Sequence, residues 1–322
     1  MEIKYRKIAS FSIIVLFVAW VVYYFTTHIS DFKQLSLVNP IYLIPLFFIF
    51  LIVSITNGLV IKYFLEPFNI KIKFKEWFGL SVITSFYNMV TPFRGGAFVK
   101  AAYLNKKHSF SYSNFLATFS GVYVVTFLIS SFIGLISLVL LYKNYHIFNL
   151  LIFLAFSGVF IPLLLIVLIS PKLKPSKNKF LNQFINIING WYLVKQNKII
   201  VFKISIITLI QLVLGSVSTI ISYSLFGINI SIIQALFLTS IGTLGILISI
   251  TPASLGVAEA IAVFSGLIIG ITPAQALAVS VLGRAISIIV IFILGPLFSY
   301  ILFKKISIKK ENEAKNQRNL KK

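Results

Sequence analysis

The chain has 322 residues, of which 58% are hydrophobic and only 11% charged, with 29 Lys and Arg against 7 Asp and Glu. With a mean hydropathy of +0.98, this composition excludes a soluble globular protein, because the polar residues are too few to cover its surface, and it indicates a chain solvated by lipid. Cysteine is absent, which excludes disulfides, thiol nucleophiles and thiolate metal sites.

Six apolar runs are long enough to cross a bilayer, since about 20 helical residues span about 30 Å. The first run follows the basic start MEIKYRK, and no small-residue cleavage site follows its aromatic WVVYYF segment. This favours a spanning helix over a cleaved signal peptide. The predicted spans are 8–27, 41–65, 112–142, 147–170, 199–226 and 275–303.

Two further apolar regions, 77–90 and 232–250, each end in an interruption that begins with Thr-Pro. The first interruption reads TPFRGGAFVKAAYL and the second reads TPASLGVAEAIAVF, so both have Thr-Pro, three variable residues, Gly and a stretch rich in small residues. Proline removes a backbone donor and glycine tolerates unusual dihedral angles, which predicts helix breaks at Pro92 and Pro252. Kinks that serve only packing are the alternative.

The positive residues are distributed unevenly along the chain. They lie at the start, in the connection 62–76, in 94–107, in 171–203 and in the tail. By the positive-inside rule these segments are cytoplasmic, and so are both termini. The net charge of +22 therefore reflects orientation and attraction to anionic lipid, and it does not imply a nucleic-acid partner. Within 171–198, apolar residues among lysines predict an amphipathic helix on the membrane surface.

This orientation divides the chain into two units of opposite direction. Residues 1–146 form the first inverted transmembrane repeat, with a broken element near 77–104, and residues 147–303 form the second, with a broken element near 232–270. A basic cytoplasmic tail, 304–322, follows. The predicted fold is an all-α integral membrane protein with about six spanning helices and two broken or re-entrant elements. In transporters built this way, the breaks line a polar cavity near the midplane.

Four ionisable residues fall in the broken elements or the last span: Arg94, Lys100, Glu259 and Arg284. A charge at the bilayer centre costs about 2.5–3.5 kcal/mol, so each is a candidate functional residue. The helix starts at Gly96 and Gly256 also present N–H groups that suit a phosphate or carboxylate. Two alternatives remain open. In one, Arg94 and Lys100 snorkel to headgroups. In the other, Glu259 and Arg284 form a packing pair.

The two motifs resemble those of the lysylphosphatidylglycerol synthetase transmembrane, or flippase-like, family. The resemblance covers nearly the whole chain and is more specific in the second motif, SITPASLGVAEAIAVFSGLIIGITPAQALAVSVLGRAISII. It carries over the positions Pro92, Gly95, Gly96, Lys100, Pro252, Gly256, Glu259 and Arg284. Lys100 stands where Arg is usual, and lysine is a point charge rather than a bidentate fork. The family is associated with charged or polyprenol-linked lipids, and this chain resembles a stand-alone member.

The expected function is that of a lipid translocase, which moves or binds a charged-headgroup phospholipid or polyprenyl-linked lipid. Its expected partners are membrane lipids with charged or phosphate-bearing headgroups, in the plasma membrane of a prokaryote. We expect no enzyme activity, cofactor or metal. The expected substrate-binding residues are Arg94, Gly95, Gly96, Lys100, Gly256, Glu259 and Arg284.

Two alternative functions stay open. The first is a nonenzymatic membrane partner of a separately encoded lipid synthase or glycosyltransferase. The second is a lipid-modifying enzyme, although such chemistry usually needs paired carboxylates, clustered histidines or a metal. The three histidines are scattered at span ends, and Asp31 is the only aspartate.

Overall fold

The computed structural model describes residues 37–169, 172–174, 176 and 178–319. The predicted span 8–27 lies outside these residues. The described chain is helical and contains no β-strand. Its α-helices are α1 Leu43–Leu65, α2 Phe74–Val90, α3 Gly96–His108, α4 Tyr112–Tyr145, α5 Leu150–Ile169, α6 Lys179–Lys195, α7 Lys198–Ser224, α8 Ile232–Leu244, α9 Val257–Ile268 and α10 Pro273–Asn319.

Five of the predicted spans coincide with helices that are long and apolar enough to cross a membrane. These helical stretches are Pro40–Phe68, Tyr112–Tyr145, Leu150–Ile169, Lys198–Ser224 and Pro273–Lys304. The prediction of an all-α integral membrane protein is therefore confirmed. Helix α10 continues through Asn319 and so includes most residues of the predicted tail.

The two interrupted regions form pairs of helices that are each shorter than a span. Helix α2 ends at Val90, a short 3₁₀ turn covers Pro92–Arg94, and α3 starts at Gly96. In the second region α8 is followed by the 3₁₀ turns Gly245–Ile248 and Pro252–Ser254 before α9 begins. Both Thr-Pro motifs thus occupy irregular backbone between two helices.

Glycines bring the long helices close together. A Cβ atom placed on Gly58 of α1 would lie 2.4 Å from the ring of Trp77 on α2. One placed on Gly134 of α4 would lie 2.2 Å from the ring of Phe156 on α5. Small residues are the usual means of close helix packing in membranes, where the hydrophobic effect does not drive helices together.

Helix α6 confirms a helix in the predicted amphipathic segment, but its apolar face has a protein partner. Trp191 and Val194 are buried, and a Cβ on Gly190 would lie 2.3 Å from the carbonyl oxygen of Ala117 on α4. Packing against α4 therefore covers part of the apolar surface. Its position on the membrane surface stays a prediction.

Helices from the two predicted halves pack against each other. Helix α1 contacts α7, α2 contacts α10, and α4 contacts α8. The buried apolar residues form two clusters, one around α1, α2 and α3 and the other around α4, α5 and α8. This packing brings the two Thr-Pro turns into direct contact.

Candidate functional site

The two Thr-Pro turns contact each other and share an uncommon backbone conformation. The N–H of Phe93 donates a hydrogen bond to the carbonyl oxygen of Ile250 at 3.1 Å. Phe93 and Arg94 have φ angles of 54° and 55°, and the equivalent residues Ala253 and Ser254 have 52° and 57°. Few non-glycine residues adopt positive φ. The similarity of the two motifs therefore extends from sequence to local backbone geometry.

The first turn is closed by contacts within the chain. The N–H of Gly96 donates to Oδ1 of Asn88 at 3.0 Å, so the chain itself occupies this helix start. A Cβ on Gly96 would lie 1.9 Å from the carbonyl oxygen of Thr84, and one on Gly95 would lie 2.3 Å from Oγ1 of Thr91. Close packing alone thus accounts for both glycines, and the Gly96 N–H is not free for a ligand.

The second turn ends at Gly256, whose φ of 83° favours glycine. Its N–H donates to Oε2 of Glu259 at 2.8 Å. This carboxylate lies in the first turn of α9, where the positive end of the helix dipole favours a negative charge. The anion that the sequence predicts at this helix start is therefore provided by the chain itself.

Glu259 also forms an ion pair with Arg284 of α10. Oε1 of Glu259 accepts a hydrogen bond from Nη2 of Arg284, and Nη1 of Arg284 donates to the carbonyl oxygen of Ala253 at 2.9 Å. The two side chains are only 3% and 15% exposed. Arg284 thus ties α10 to the second turn and to α9, which is the arrangement that a packing pair requires.

A cavity of about 240 Å³ lies beside the two turns, between α7, α8, α9 and α10. Its polar lining combines one cation with hydroxyl groups, namely Arg94, Thr219, Tyr223, Ser249, Ser254, Ser265 and Ser280. Nη1 of Arg94 is buried and has no hydrogen-bond partner among the described residues. A buried donor without a hydrogen-bond partner is costly, so an anion that accepts from Nη1 in this cavity would stabilise the site.

Lys100 lies apart from the cavity lining, although its side chain is deeply buried. It is 6% exposed. Its Nζ lies 5.8, 5.7 and 4.8 Å from the ring centres of Phe64, Phe115 and Phe119. Such contacts between a cation and aromatic faces stabilise the charge by about 0.5–2 kcal/mol. The alternative in which Lys100 snorkels to headgroups does not fit this enclosed position.

Four aromatic residues on one side of α4, which we call the aromatic ladder, follow one another beside Lys100. They are Phe115, Phe119, Tyr123 and Phe127, and successive ring centres lie 5.3, 4.7 and 5.2 Å apart. The ammonium group of Lys100 lies over the rings of Phe115 and Phe119, at the start of this ladder.

Sequence reasoning identified the charged residues of this region but missed the ladder and the hydroxyl groups. The ladder had a visible signal, because its members recur at every fourth position and therefore share one helical face. The cavity serines had no such signal, because Ser249, Ser265 and Ser280 come from separate segments of the chain.

Comparison with known families agrees with the resemblance seen in the motifs. The family model described as lysylphosphatidylglycerol synthase TM region matches residues 7–295. No curated protein and no solved structure matches the chain. The matched region contains both Thr-Pro turns, the aromatic ladder and the whole cavity lining.

Proposed function

Because the chain belongs to the lysylphosphatidylglycerol synthase TM region family, we propose that it is a lipid translocase that moves a lipid with a charged headgroup between the membrane leaflets. The family supports the broader statement that this is a membrane protein related to lipid metabolism or transport. In the proposal the protein resides in the plasma membrane of a prokaryote with both termini in the cytoplasm, as its lysine and arginine distribution favours.

The Arg94 side chain in the lining of the polar cavity is the observation that carries this proposal. Its buried Nη1 has no partner among the described residues, and Ser254 of the other turn lines the same cavity. Arginine matches the geometry of phosphate oxygens and forms charge-assisted hydrogen bonds with them. A headgroup phosphate bound there would contact both turns while its tails stay in lipid.

The matching geometry of the two turns supports a mechanism with two related halves. In transporters with inverted repeats, the site lies at the repeat interface and opens alternately to each side. The sequence has no Gly-rich loop ending in Gly-Lys-Ser or Gly-Lys-Thr. In the proposal the driving force is therefore a gradient or the membrane potential, which is worth about 2.3 kcal/mol per charge at 100 mV.

Translocation by the purified chain tests this proposal. We expect proteoliposomes to move labelled phospholipids between leaflets, across a panel of anionic, zwitterionic and cationic headgroups. Arg94→Gln should lower the rate for anionic lipids about tenfold or more, because a charged hydrogen bond is worth about 1.5–3 kcal/mol. Lys143→Gln, at an exposed position near the end of α4, is the matched control and should keep the full rate. An unchanged rate in the Arg94 variant would contradict the proposal.

A second candidate function is that of a membrane partner for a separately encoded lipid-modifying enzyme. The family description favours it, since it names the membrane region of a synthase. This candidate predicts that a soluble lipid synthase or glycosyltransferase co-purifies with the chain, and that the chain alone translocates no lipid. The liposome measurement therefore separates the two candidates.

A further inference from the structure

Three hydroxyl groups in the cavity lining have already used their protons within the chain. A hydroxyl has one proton to donate and two lone pairs that accept. Thr219, Ser249 and Ser265 each donate to the backbone carbonyl oxygen four positions earlier, at 2.8, 2.8 and 2.6 Å. Towards a ligand these three hydroxyls therefore act as acceptors.

The other three hydroxyl groups of the lining keep their protons available. Tyr223, Ser254 and Ser280 form no side-chain hydrogen bond with any described residue. Nη1 of Arg94 is likewise a buried donor without a partner in this part of the chain. An oxyanion accepts several hydrogen bonds at once and forms its strongest ones with charged donors. This set of donors therefore matches a phosphate group.

The lining offers no compensation for a positively charged headgroup. Among the described residues around the cavity there is no carboxylate. Both oxygens of Glu259 are occupied, one by the Gly256 N–H and the other by Arg284. An ammonium group in the cavity would thus meet the charge of Arg94, and like charges repel strongly in a medium of low dielectric constant. Headgroups that carry an amine are therefore disfavoured.

The size of the cavity limits which part of a lipid it can hold. Its volume is about 240 Å³, whereas pockets that enclose drug-sized ligands have about 300–1,000 Å³. A headgroup of a few carbons fits this space, and acyl tails do not. The recognition chemistry therefore lies in the phosphate and in what is attached to it.

We propose that the cavity binds an anionic lipid whose phosphate carries a polyol or a sugar. The phosphate accepts from Arg94 and from the hydroxyls with free protons. The hydroxyls of the polyol donate to Thr219, Ser249 and Ser265, whose own protons are engaged. This inference rests on the proposed function and names its substrate class. It predicts discrimination between headgroups of equal charge, which an arginine alone does not provide.

Three phospholipids with the same acyl tails separate these chemical features. The full chain in a nonionic detergent is titrated with phosphatidylglycerol, with phosphatidylpropanol and with phosphatidylethanolamine. The first two lipids have the same charge and headgroup length, but only the first has free hydroxyls. The third carries an ammonium group.

We expect phosphatidylglycerol to bind about tenfold more tightly than phosphatidylpropanol, a factor that two added hydrogen bonds supply. Phosphatidylethanolamine should bind most weakly. Equal affinities for the first two lipids, tightest binding of the third, or no binding of any of them would overturn the inference. Because this comparison uses the unaltered chain, it holds even if a variant fails to fold.

A serine variant assigns the selectivity to the cavity. Ser265→Ala removes one acceptor and should lower the affinity for phosphatidylglycerol about threefold or more, while the affinity for phosphatidylpropanol stays unchanged. Ser131→Ala is the matched control, because Ser131 is also buried and donates to the carbonyl oxygen of Phe127 at 2.6 Å, but it does not line the cavity. An equal loss for both lipids in Ser265→Ala would contradict a contact with the polyol.

Two further outcomes separate the inference from its alternatives. Displacement of phosphatidylglycerol by an equal concentration of glycerol 3-phosphate would assign the cavity to a soluble polyol phosphate and overturn the lipid assignment. Translocation that depends on Arg94, together with equal affinity for phosphatidylglycerol and phosphatidylpropanol, would overturn the polyol preference and leave the translocase standing. A clear polyol preference without translocation would instead overturn the translocase and leave a lipid-binding membrane protein.

Discussion

At the scale of single residues, Arg284 binds the second turn and the first turn of α9 at once. It donates to Glu259 and to the carbonyl oxygen of Ala253. We expect Glu259→Gln to lower stability by about 3–5 kcal/mol, because removing one partner of a buried ion pair leaves an uncompensated charge. Thermal unfolding of the purified variants measures this loss, and lipid translocation is measured in parallel.

The double variant Glu259→Gln/Arg284→Gln separates positioning from packing. It removes both charges and should recover most of the lost stability, but translocation should stay low because the charged hydrogen bond to Ala253 is gone. The pair Glu66 and Lys203, whose side chains are over a third exposed, provides the control. Full translocation in the neutral double variant would show that these charges do not serve the transport path.

The charged residues of the candidate site were predictable from the sequence, whereas contacts that depend on the folded geometry were not. Arg94, Lys100 and Arg284 stand out because charges are scarce in an apolar sequence. The hydrogen bond from the Gly96 N–H to Asn88 has no signal in the sequence, because the two residues meet only after the chain reverses at the turn. The same reversal gives the Gly96 N–H a partner that the sequence pattern does not reveal.

At the scale of elements, an ionic clamp joins the start of α2 to the end of α3. Oε1 of Glu76 lies 2.5 Å from Nε2 of His108 and accepts from the Tyr103 hydroxyl at 3.1 Å, while Oε2 lies 2.8 Å from Nζ of Lys107. Burial raises the pKa of Glu76, but hydrogen bonds and charges of His108 and Lys107 outweigh it, so this pKa lies below its ordinary value. The clamp holds together the two arms of the first interrupted region.

Glu76→Gln should therefore destabilise the protein in a pH-dependent way. A depressed pKa stabilises the fold fully above the pKa of the unfolded carboxyl, about 4.3, and this contribution is lost as pH falls through the lower folded value. At pH 7.5 we expect a loss of about 2 kcal/mol, typical of charged hydrogen bonds, measured by thermal unfolding. Near pH 4 the difference from the unaltered chain should shrink.

Glu66→Gln is the matched control for the clamp. Its ion pair with Lys203 is exposed, and such pairs contribute about 0–1 kcal/mol. Equal destabilisation by the two glutamate variants, or a Glu76 effect that does not change with pH, would contradict the clamp.

The elements themselves were largely predictable from apolar length. The predicted span 112–142 corresponds to α4, which ends at Tyr145. The predicted span 199–226 corresponds to α7, which ends at Ser224. The ends differ because capping decides them: His146 closes α4 in a left-handed conformation. The 3₁₀ turn Gly245–Ile248 had no sequence signal, since its residues are as apolar as those of a helix.

At the scale of the whole molecule, the contact between the two turns was not visible in the sequence. The two-unit division placed one Thr-Pro motif in each half. The number of preceding spans, however, fixes only the side of the membrane from which each motif starts. The structure adds that Phe93 and Ile250 are hydrogen-bonded, because packing of α2 on α10 and α4 on α8 brings the halves together.

The contact between the two turns leads to a labelling prediction for the inverted arrangement. The chain has no native cysteine, so Ala97→Cys and Ser254→Cys each give a single thiol. We expect a membrane-impermeant maleimide to label Ala97→Cys only from the cytoplasmic side and Ser254→Cys, which lines the cavity, only from the outer side. Lys174→Cys and Lys143→Cys, at exposed positions, are the cytoplasmic and outer controls. Labelling of Ala97→Cys only from outside would contradict the arrangement, because both motifs would then open to one side and a headgroup at Arg94 would have no second exit.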